Sequence, residues 1–144
     1  HQLRNGRIQV RKELSSTGPI VQGIEYKLQQ VFLNLFLNAR DAMPKGGWLT
    51  IVTRGGTDWA TVEVADTGSG IPSDHLSRIY DPFFTTKDIG RGTGLGLSIT
   101  YGILQEHGGS ITCDSHIGKG TRFTLTLPLA SSRVEGQRAA NRQA

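Results

Sequence analysis

Cysteine and long apolar runs are nearly absent from this sequence. Cys113 is the single cysteine among 144 residues, so no internal disulfide can form and we expect a reducing compartment, the cytoplasm. No segment approaches the ~18 consecutive apolar residues of a membrane-spanning helix. The first residues also lack the basic and then apolar pattern of a secretory leader. We therefore expect this part of the protein to make no membrane contact.

Charged and aromatic residues are present in modest amounts. They make up 19% and 7% of the sequence, beside 36% hydrophobic residues, a composition typical of one soluble globular domain. The net charge is +4, and half of it comes from residues 130–144. Because no basic run with interleaved aromatic residues occurs in the rest of the chain, we expect no nucleic-acid partner.

The first half of the sequence contains three strand patterns and one helix pattern. Residues 8–14 alternate between apolar and polar types, which predicts a half-buried strand. Apolar residues then recur every three or four positions over residues 25–43, as on one face of a helix. Residues 48–54 and 59–65 have strand patterns separated by a glycine-rich turn, which predicts an antiparallel hairpin.

The second half begins with a short polar segment and ends with two strand patterns. Ser73 is the predicted N-cap of a short helix over residues 73–79. A second amphipathic segment over residues 95–107 predicts a longer helix that ends at two glycines. Residues 110–115 and 121–127 are the last two predicted strands.

This order of elements predicts an α+β domain. Hairpin-like neighbours indicate a mixed, mostly antiparallel sheet, with the helices packed on one of its faces. Residues 130–144 lack any apolar periodicity and are predicted to be a disordered tail, which leaves residues 1–129 as the domain.

Two asparagines lie one turn apart on the first predicted helix. Asn34 and Asn38 fall at the border of its apolar face. Solvated asparagines at such positions are ordinary, although helix interiors disfavour asparagine because its side chain competes for the backbone. Alternatively, the two amide oxygens face a hard cation such as Mg²⁺. The residues alone leave both interpretations open.

Asp66 opens the segment DTGSGIP directly after an apolar strand. It is either a turn-forming residue followed by glycines that supply positive φ, or a carboxylate that accepts a hydrogen bond from an exocyclic amine such as adenine N6. A carboxylate at the end of a buried strand requires such a donor, because burying it unpaired is costly.

Glycines alternate over residues 90–96 just before the second long helix. Unobstructed backbone N–H groups at a helix N-terminus predict an anion site. Lys87 and Arg91 are the nearby cations, and they are either solvated or bound to phosphate. Phe83 and Phe84, in the preceding DPFFTTK, are predicted core residues that anchor this segment.

Spacing excludes two other nucleotide-binding motifs. The dinucleotide fingerprint G-x-G-x-x-G stands between a strand and a helix, whereas these glycines occupy every second position after a helix. Gly118 and Lys119 resemble the end of a P-loop, but Cys113 stands where its first glycine is required and Gly120 where Ser or Thr is required.

Four motifs resemble, in order and spacing, the N, G1, F and G2 boxes of the ATP-binding catalytic domain of bacterial sensor histidine kinases. They are the asparagine helix, DTGSGIP, DPFFTTK and GTGLGLS. The resemblance covers about residues 8–129 and extends to the GHKL superfamily of gyrase, Hsp90 and MutL ATPases. It implies the Bergerat fold, a two-layer α/β sandwich with ATP between the long helix and a flexible lid. DPFFTTK and NARDAM further resemble the nitrogen-sensor type of kinase.

The resemblance also implies roles for individual residues. Asn38 matches the ligand of Mg²⁺ and phosphate, and Asn34 is a second metal-binding and catalytic candidate. Asp66 matches the adenine-selecting carboxylate, and Thr121 the strand residue that closes the adenine pocket. Glycines of the G1 and G2 boxes let the base and the phosphates approach the backbone. Lys87 and Arg91, the two cations of the lid, contact phosphate and have a catalytic role. The further nucleotide-binding residues, including these two cations, are Asp41, Gly68, Gly70, Ile71, Thr85, Thr86, Lys87, Arg91, Gly92, Thr93, Gly94, Leu95, Gly96 and Leu97.

The resemblance favours phosphoryl transfer over hydrolysis. In the ATPases of the superfamily a glutamate stands one turn before the metal asparagine and activates water. That position is Asn34 here, and its amide cannot accept a proton at neutral pH. A neutral imidazole is already a nucleophile, so transfer of the γ-phosphate to a histidine needs no such base.

The resemblance places the acceptor histidine in a dimerisation domain elsewhere in the parent protein. We expect the parent to form a homodimer through that domain, to pass phosphate to a response regulator receiver domain, and to carry any membrane anchor itself. His1 precedes a strand too closely to be the acceptor, and we expect His75, His107 and His116 at the surface. An anti-sigma-type serine kinase and a nucleotide-sensing module without catalysis remain alternatives with the same fold.

Overall fold

A computed structural model describes residues 7–84 and 95–130 of the chain. Two long helices, one short 3₁₀ helix and five strands occur in these residues, close to the predicted boundaries. In chain order they are β1 (Ile8–Glu13), α1 (Glu25–Ala42), β2 (Gly47–Gly55), β3 (Trp59–Asp66), the 3₁₀ helix (Ser73–Arg78), α2 (Gly96–Glu106), β4 (Ser110–His116) and β5 (Gly120–Pro128).

The five strands form one mixed sheet in the order β1-β2-β3-β5-β4. Strand β1 pairs parallel to β2 because α1 connects them as a crossover, and every other neighbouring pair is antiparallel. The predicted hairpin is confirmed as β2 and β3, and the mostly antiparallel sheet is confirmed with it.

Apolar residues alternate along the central strands and face the two helices. Inward positions of β5 are Phe123, Leu125 and Leu127, each at most 5% exposed, and they pair across the sheet with inward residues of β3. Leu35 of α1 and Leu104 of α2 are each 1% exposed in the same core. Each buried leucine contributes about 1.5–3 kcal/mol. Both long helices therefore cover one face, which confirms the α/β sandwich.

The first strand is less buried than its pattern predicts. Ile8 is its one core residue, while Val10 is 42% exposed and Leu14 lies beyond the end of the strand. The reason is that β1 is an edge strand of the sheet, so the helices cover only part of it.

His107 is buried, and the prediction of a surface position for it is wrong. Its side chain is 4% exposed, Nδ1 bonds to the carbonyl of Ile103 at 2.7 Å, and Nε2 accepts from the Ile24 N–H at 3.0 Å. Because both ring nitrogens are paired with backbone, burial leaves no polar atom of the ring unsatisfied. His75 is half-buried, whereas His116 is exposed as predicted.

Two predictions around the 3₁₀ helix are also wrong. Pro72, not Ser73, occupies its N-cap, and no side chain in the described part of the chain caps it by a hydrogen bond. Phe83 is 72% exposed with a φ of 67°, whereas Phe84 packs against the core under the Arg78 guanidinium, 4.6 Å from its ring centroid. Only one of the two phenylalanines therefore anchors the segment, because the turn directs Phe83 outward.

Some predictions fall on residues 1–6, 85–94 and 131–144, which lie outside the described residues. They include the lid and nearly all of the C-terminal tail. Within the described ranges, no helix is both long and apolar enough to cross a membrane.

Candidate functional site

The Asp66 carboxylate lies half-buried at the end of β3, on the sheet face that the helices cover. Its Oδ1 accepts the Gly68 N–H at 2.8 Å. Burial raises the pKa of this carboxyl, and hydrogen bonds from the backbone of Gly68 and Thr121 oppose the shift without cancelling it. A carboxylate has about four lone-pair sites, so Asp66 retains capacity for another donor.

Thr121 stands beside Asp66 in the sheet. The two residues are register partners of β5 and β3, and Ser115 of β4 is the next partner in the same row. Thr121 and Ser115 are each 6% exposed, and their hydroxyl oxygens are 2.7 Å apart. The Ile71 N–H donates to Ser115 Oγ at 2.8 Å, which ties the loop after β3 to this row.

The loop after β3 is held between α1 and the β4–β5 turn. The Ser69 N–H donates to the Ala42 carbonyl at 3.0 Å, and the Gly118 N–H donates to the Ser69 carbonyl at 2.9 Å. A Cβ on Gly68 would lie 2.5 Å from the Ala42 oxygen. Gly70 has a φ of +78°, and a Cβ there would collide with the His116 carbonyl.

These contacts give both loop glycines a reason that lies within the protein. Gly68 lets the loop approach the end of α1, and Gly70 lets it approach the β4–β5 turn. Their predicted role in admitting a purine base stays a prediction. The close packing fixes where the loop and Asp66 lie relative to α1.

Asn34 is buried between the two long helices. Its Oδ1 accepts from Gln30 Nε2 at 2.7 Å, and its Nδ2 donates to the Gly96 carbonyl at 3.1 Å and to Thr100 Oγ1 at 3.3 Å. Asn34 thus ties α1 to the first turn of α2. Its assignment as a second metal ligand stays a prediction, and a metal would have to bind the remaining lone pair of Oδ1.

Asn38 and Asp41 follow on α1, half-buried and exposed respectively. Asn38 lies one turn before Ala42, the residue that accepts the hydrogen bond from the Asp66 loop. Four residues of helix correspond to about 6 Å along the axis. Asn38 and the loop of Asp66 are therefore close enough for one nucleotide to span them. Asp41 is ion-paired with Arg40 at 3.4 Å.

The N-terminus of α2 completes the described part of the site. Leu95 precedes the helix and Gly96 is its first residue, and no side chain among residues 7–84 and 95–130 caps it by a hydrogen bond. Leu97 packs against the core. Backbone N–H groups of an uncapped first turn attract anions. Asn34 bonds to this end of α2, so the start of α2 is held against α1, the helix that carries Asn38.

The other predicted site residues fall outside the described part of the chain. Their roles stay predictions. They are Thr85, Thr86, Lys87, Arg91, Gly92, Thr93 and Gly94.

Sequence reasoning missed Ser115, Gln30 and Thr100. Ser115 was detectable, because it continues the inward alternation of Ile111 and Cys113 along β4 and places a hydroxyl on the core face. Gln30 and Thr100 had no such signal, because their importance depends on how α1 and α2 meet.

Comparison with known proteins identifies the family. Residues 23–131 match the model of the histidine kinase-, DNA gyrase B- and HSP90-like ATPases. The chain is 50% identical over 117 residues to the sensor kinase CckA of Brucella abortus, covering 71% of this chain and 12% of that protein. It is 43% identical to sporulation kinase C of Bacillus subtilis, over 86% of this chain and 29% of the kinase. The chain thus spans under a third of these relatives.

Solved structures agree in fold. The catalytic domain of histidine kinase ThkA is 33% identical, with a TM-score of 0.78 over 88% of this chain and 84% of that one. Full-length ShkA, solved in complex with AMPPNP, is 28% identical, with a TM-score of 0.79 over 90% of this chain and 27% of that one. The chain therefore belongs to the family of histidine kinase-, DNA gyrase B- and HSP90-like ATPases, as a catalytic domain of the sensor histidine kinase type.

Proposed function

We propose that this domain binds ATP and supplies its γ-phosphoryl group to a histidine on a dimerisation domain of the same parent protein. The observation that carries the proposal is Asp66, a half-buried carboxylate with acceptor capacity, beside Thr121 in the sheet. Similarity to ShkA, which was solved with an ATP analogue, supports the choice of nucleotide.

In this proposal each end of ATP meets a different part of the chain. Asp66 accepts a hydrogen bond from the adenine amino group, which is worth about 1.5–3 kcal/mol because the acceptor is charged. The first backbone N–H groups of α2 receive the phosphates. Lys87 and Arg91 remain the proposed lid cations that neutralise phosphate charge during transfer.

The residues present fit a magnesium ion bound together with a triphosphate. Mg²⁺ takes one or two protein oxygens and completes its shell with water and phosphate oxygens. Asn38 is the proposed protein ligand, one turn from the Asp66 loop, and Asn34 is a second candidate. The ion would supply charge neutralisation on the β- and γ-phosphates.

The proposed reaction transfers phosphate to imidazole rather than to water. The acceptor nitrogen forms the N–P bond as the bond between the γ-phosphorus and the bridging oxygen breaks, ADP leaves, and the imidazole proton passes to solvent. Asn34 supports this choice, because its buried amide is paired with Gln30, Gly96 and Thr100 and cannot serve as a base for water.

The proposed partners follow from the same reaction. They are the dimerisation domain that carries the acceptor and forms the parent homodimer, and a response regulator receiver domain that takes the phosphate from it. The cytoplasm is the proposed compartment, because ATP is the substrate and Cys113 is a free thiol.

Two measurements test the proposal. Calorimetry should detect ATP binding that Asp66→Asn weakens by about 10- to 150-fold. Glu63→Gln is the matched control, because it removes one charge from the outward face of the same strand, where its ion pair with Arg54 contributes little. ATP labelled at the γ-phosphate, with the parent's dimerisation domain supplied in trans, should give acid-labile phosphohistidine.

Either measurement can overturn the proposal. Equal ATP binding by Asp66→Asn and Glu63→Gln would refute the adenine assignment. ATP binding without labelled histidine would instead indicate a nucleotide-sensing module, and acid-stable phosphoserine on a supplied protein would indicate a serine kinase.

A further inference from the structure

Gln30 is an exposed residue of α1 whose amide reaches the buried side chain of Asn34. Its Nε2 lies 2.7 Å from Asn34 Oδ1, one turn further along the helix. On the other side of the same amide, Asn34 Nδ2 lies 3.1 Å from the Gly96 carbonyl and 3.3 Å from Thr100 Oγ1, both on α2. A chain of side-chain hydrogen bonds therefore runs from the surface of α1 to the first turn of α2.

The acceptor at its far end fixes the direction of this hydrogen-bond chain. A carbonyl oxygen can only accept, so the Asn34 atom that faces Gly96 must be the nitrogen, and Oδ1 must face Gln30. Gln30 then has to present its own nitrogen, because two amide oxygens would repel each other. An Asn34 amide turned by half a rotation would place Oδ1 against the Gly96 carbonyl and break the bond to α2. Gln30 thus favours the one orientation of Asn34 that joins the two helices.

The end of α2 that Asn34 holds is the end that the proposed function assigns to phosphate. Gly96 is the first residue of α2 and its backbone lies against Asn34, since a Cβ built on this glycine would come within 3.9 Å of Asn34 Cγ. Thr100, one turn later, is fully buried. Backbone N–H groups bind an anion tightly only where they already point at it. A site whose competent arrangement is populated for part of the time binds more weakly in proportion.

We propose that Gln30 is a positioning residue for the phosphate end of the site. By donating to Asn34, it keeps the start of α2 in the arrangement that receives the phosphates of ATP. This inference rests on the proposed function, because it concerns the same nucleotide. Gln30 acts here through Asn34 rather than on the nucleotide. It should therefore govern the binding of the phosphates and not of the base, which Asp66 receives at the end of β3.

Gln30→Glu tests the direction of the hydrogen-bond chain at almost constant side-chain size. A carboxylate accepts and cannot donate, so it opposes Asn34 Oδ1 and favours the turned amide. We expect ATP binding, measured by calorimetry, to weaken by about fivefold to tenfold. Adenosine has the base without the phosphates, and its binding, measured by NMR titration, should be unchanged.

Gln29→Glu is the matched control, because it adds the same charge at the neighbouring exposed residue, whose amide bonds to Glu25 instead. Both variants are compared at about 0.5 M salt, where the Debye length is about 4 Å and repulsion between the added charge and ATP is screened. Asn34→Ala completes the design as a double-mutant cycle. Because Gln30 acts through Asn34, Gln30→Glu should weaken ATP binding no further once residue 34 is alanine.

The outcomes separate this inference from a structural role and from the proposed function. Equal losses of ATP and adenosine affinity in Gln30→Glu would show a structural role alone and overturn the inference. Equal ATP affinity in the two glutamate variants would overturn it too, as would a full further loss in the double variant.

A wild-type domain that does not bind ATP refutes the proposed function, and the inference fails with it. ATP binding that Gln30→Glu leaves intact refutes the inference alone. If Asn34→Ala does not fold, or if adenosine binds too weakly to measure, the comparison of Gln30→Glu with Gln29→Glu decides by itself.

Discussion

Asp66 lies where an ionised carboxylate costs folding free energy. Burial raises its pKa in the folded domain, against the opposing N–H groups of Gly68 and Thr121. The stability contributed by the neutral form is fully present below the unfolded pKa of about 3.9 and is lost as pH rises through the raised folded pKa. The proposed adenine acceptor is therefore maintained at a cost in stability.

Asp66→Asn should consequently raise the free energy of unfolding more at pH 7 than at about pH 3. Asparagine keeps an oxygen for the Gly68 N–H and carries no charge to desolvate. Urea unfolding of both proteins at the two pH values measures the difference. An equal or smaller gain at pH 7 contradicts the assignment of a desolvated carboxylate.

Substitution of Asn34 by aspartate should lower the free energy of unfolding, whereas Asp66→Asn should raise it. Asn34→Asp loses the donor to the Gly96 carbonyl and to Thr100, and it places a buried negative charge beside that carbonyl. We expect unfolding free energy to fall by about 1–3 kcal/mol or more. ATP binding, measured by calorimetry, should weaken less than in Asp66→Asn, because the adenine acceptor remains. Equal losses of affinity would contradict the division of roles.

At the scale of elements, α1 and α2 are joined at both ends of their contact. Asn34 bonds to the first turn of α2, while His107 at the other end bonds to the backbone N–H before α1. Lys27 and Glu106 add an exposed ion pair at 2.8 Å beside His107. The histidine matters more than the ion pair, because exposed pairs contribute about 0–1 kcal/mol.

His107→Ala should therefore destabilise the domain by about 2–4 kcal/mol, since it removes a buried ring and leaves the Ile24 N–H without its acceptor. His116→Ala is the control, because that ring is exposed at the end of β4 and its loss should change stability by less than about 0.5 kcal/mol. Similar losses in both variants, measured by urea unfolding, would contradict the role of His107.

Substitution by alanine should change the stability of the domain in opposite directions at Gly68, in the loop after β3, and at Gly102, in α2. Gly68→Ala forces a Cβ against the Ala42 carbonyl and should be destabilising, with weaker ATP binding because the Asp66 loop moves. Gly102→Ala meets no atom within 4 Å on α2 and should stabilise the domain by about 0.5–1 kcal/mol. Thermal unfolding measures both. If Gly68→Ala unfolds at the same temperature as the wild-type domain, the loop is not held against α1.

At the scale of the whole molecule, local patterns predict the sheet and the helices well. Inward residues of β5 alternate strictly, and glycines mark both ends of β2, so no distant information is needed. His107 escaped prediction because its partner Ile24 lies 83 residues away in the sequence. Val10 is exposed because β1 lies at the edge of the sheet, and its place there depends on the strand order, which no local pattern encodes.

The proposed site likewise contains residues that local sequence patterns predict and residues that only the assembled fold brings together. Asp66 and Asn38 were predicted from motifs, because each motif is short and continuous. The structure adds that the helix of Asn38 and the loop of Asp66 meet at Ala42 and Ser69. Ser115 and the bonds of Asn34 emerge only when strands and helices are assembled, since each joins residues from different elements.

In the proposed complex, Asp66 and Asn38 bind opposite ends of one nucleotide. A crystal structure of the domain with Mg²⁺ and a non-hydrolysable ATP analogue tests it most directly. We expect the adenine amino group within hydrogen-bond distance of the Asp66 carboxylate, the phosphates at the start of α2, and Asn38 on the metal side of the same molecule. A bound nucleotide that contacts only one of these two side chains would contradict it.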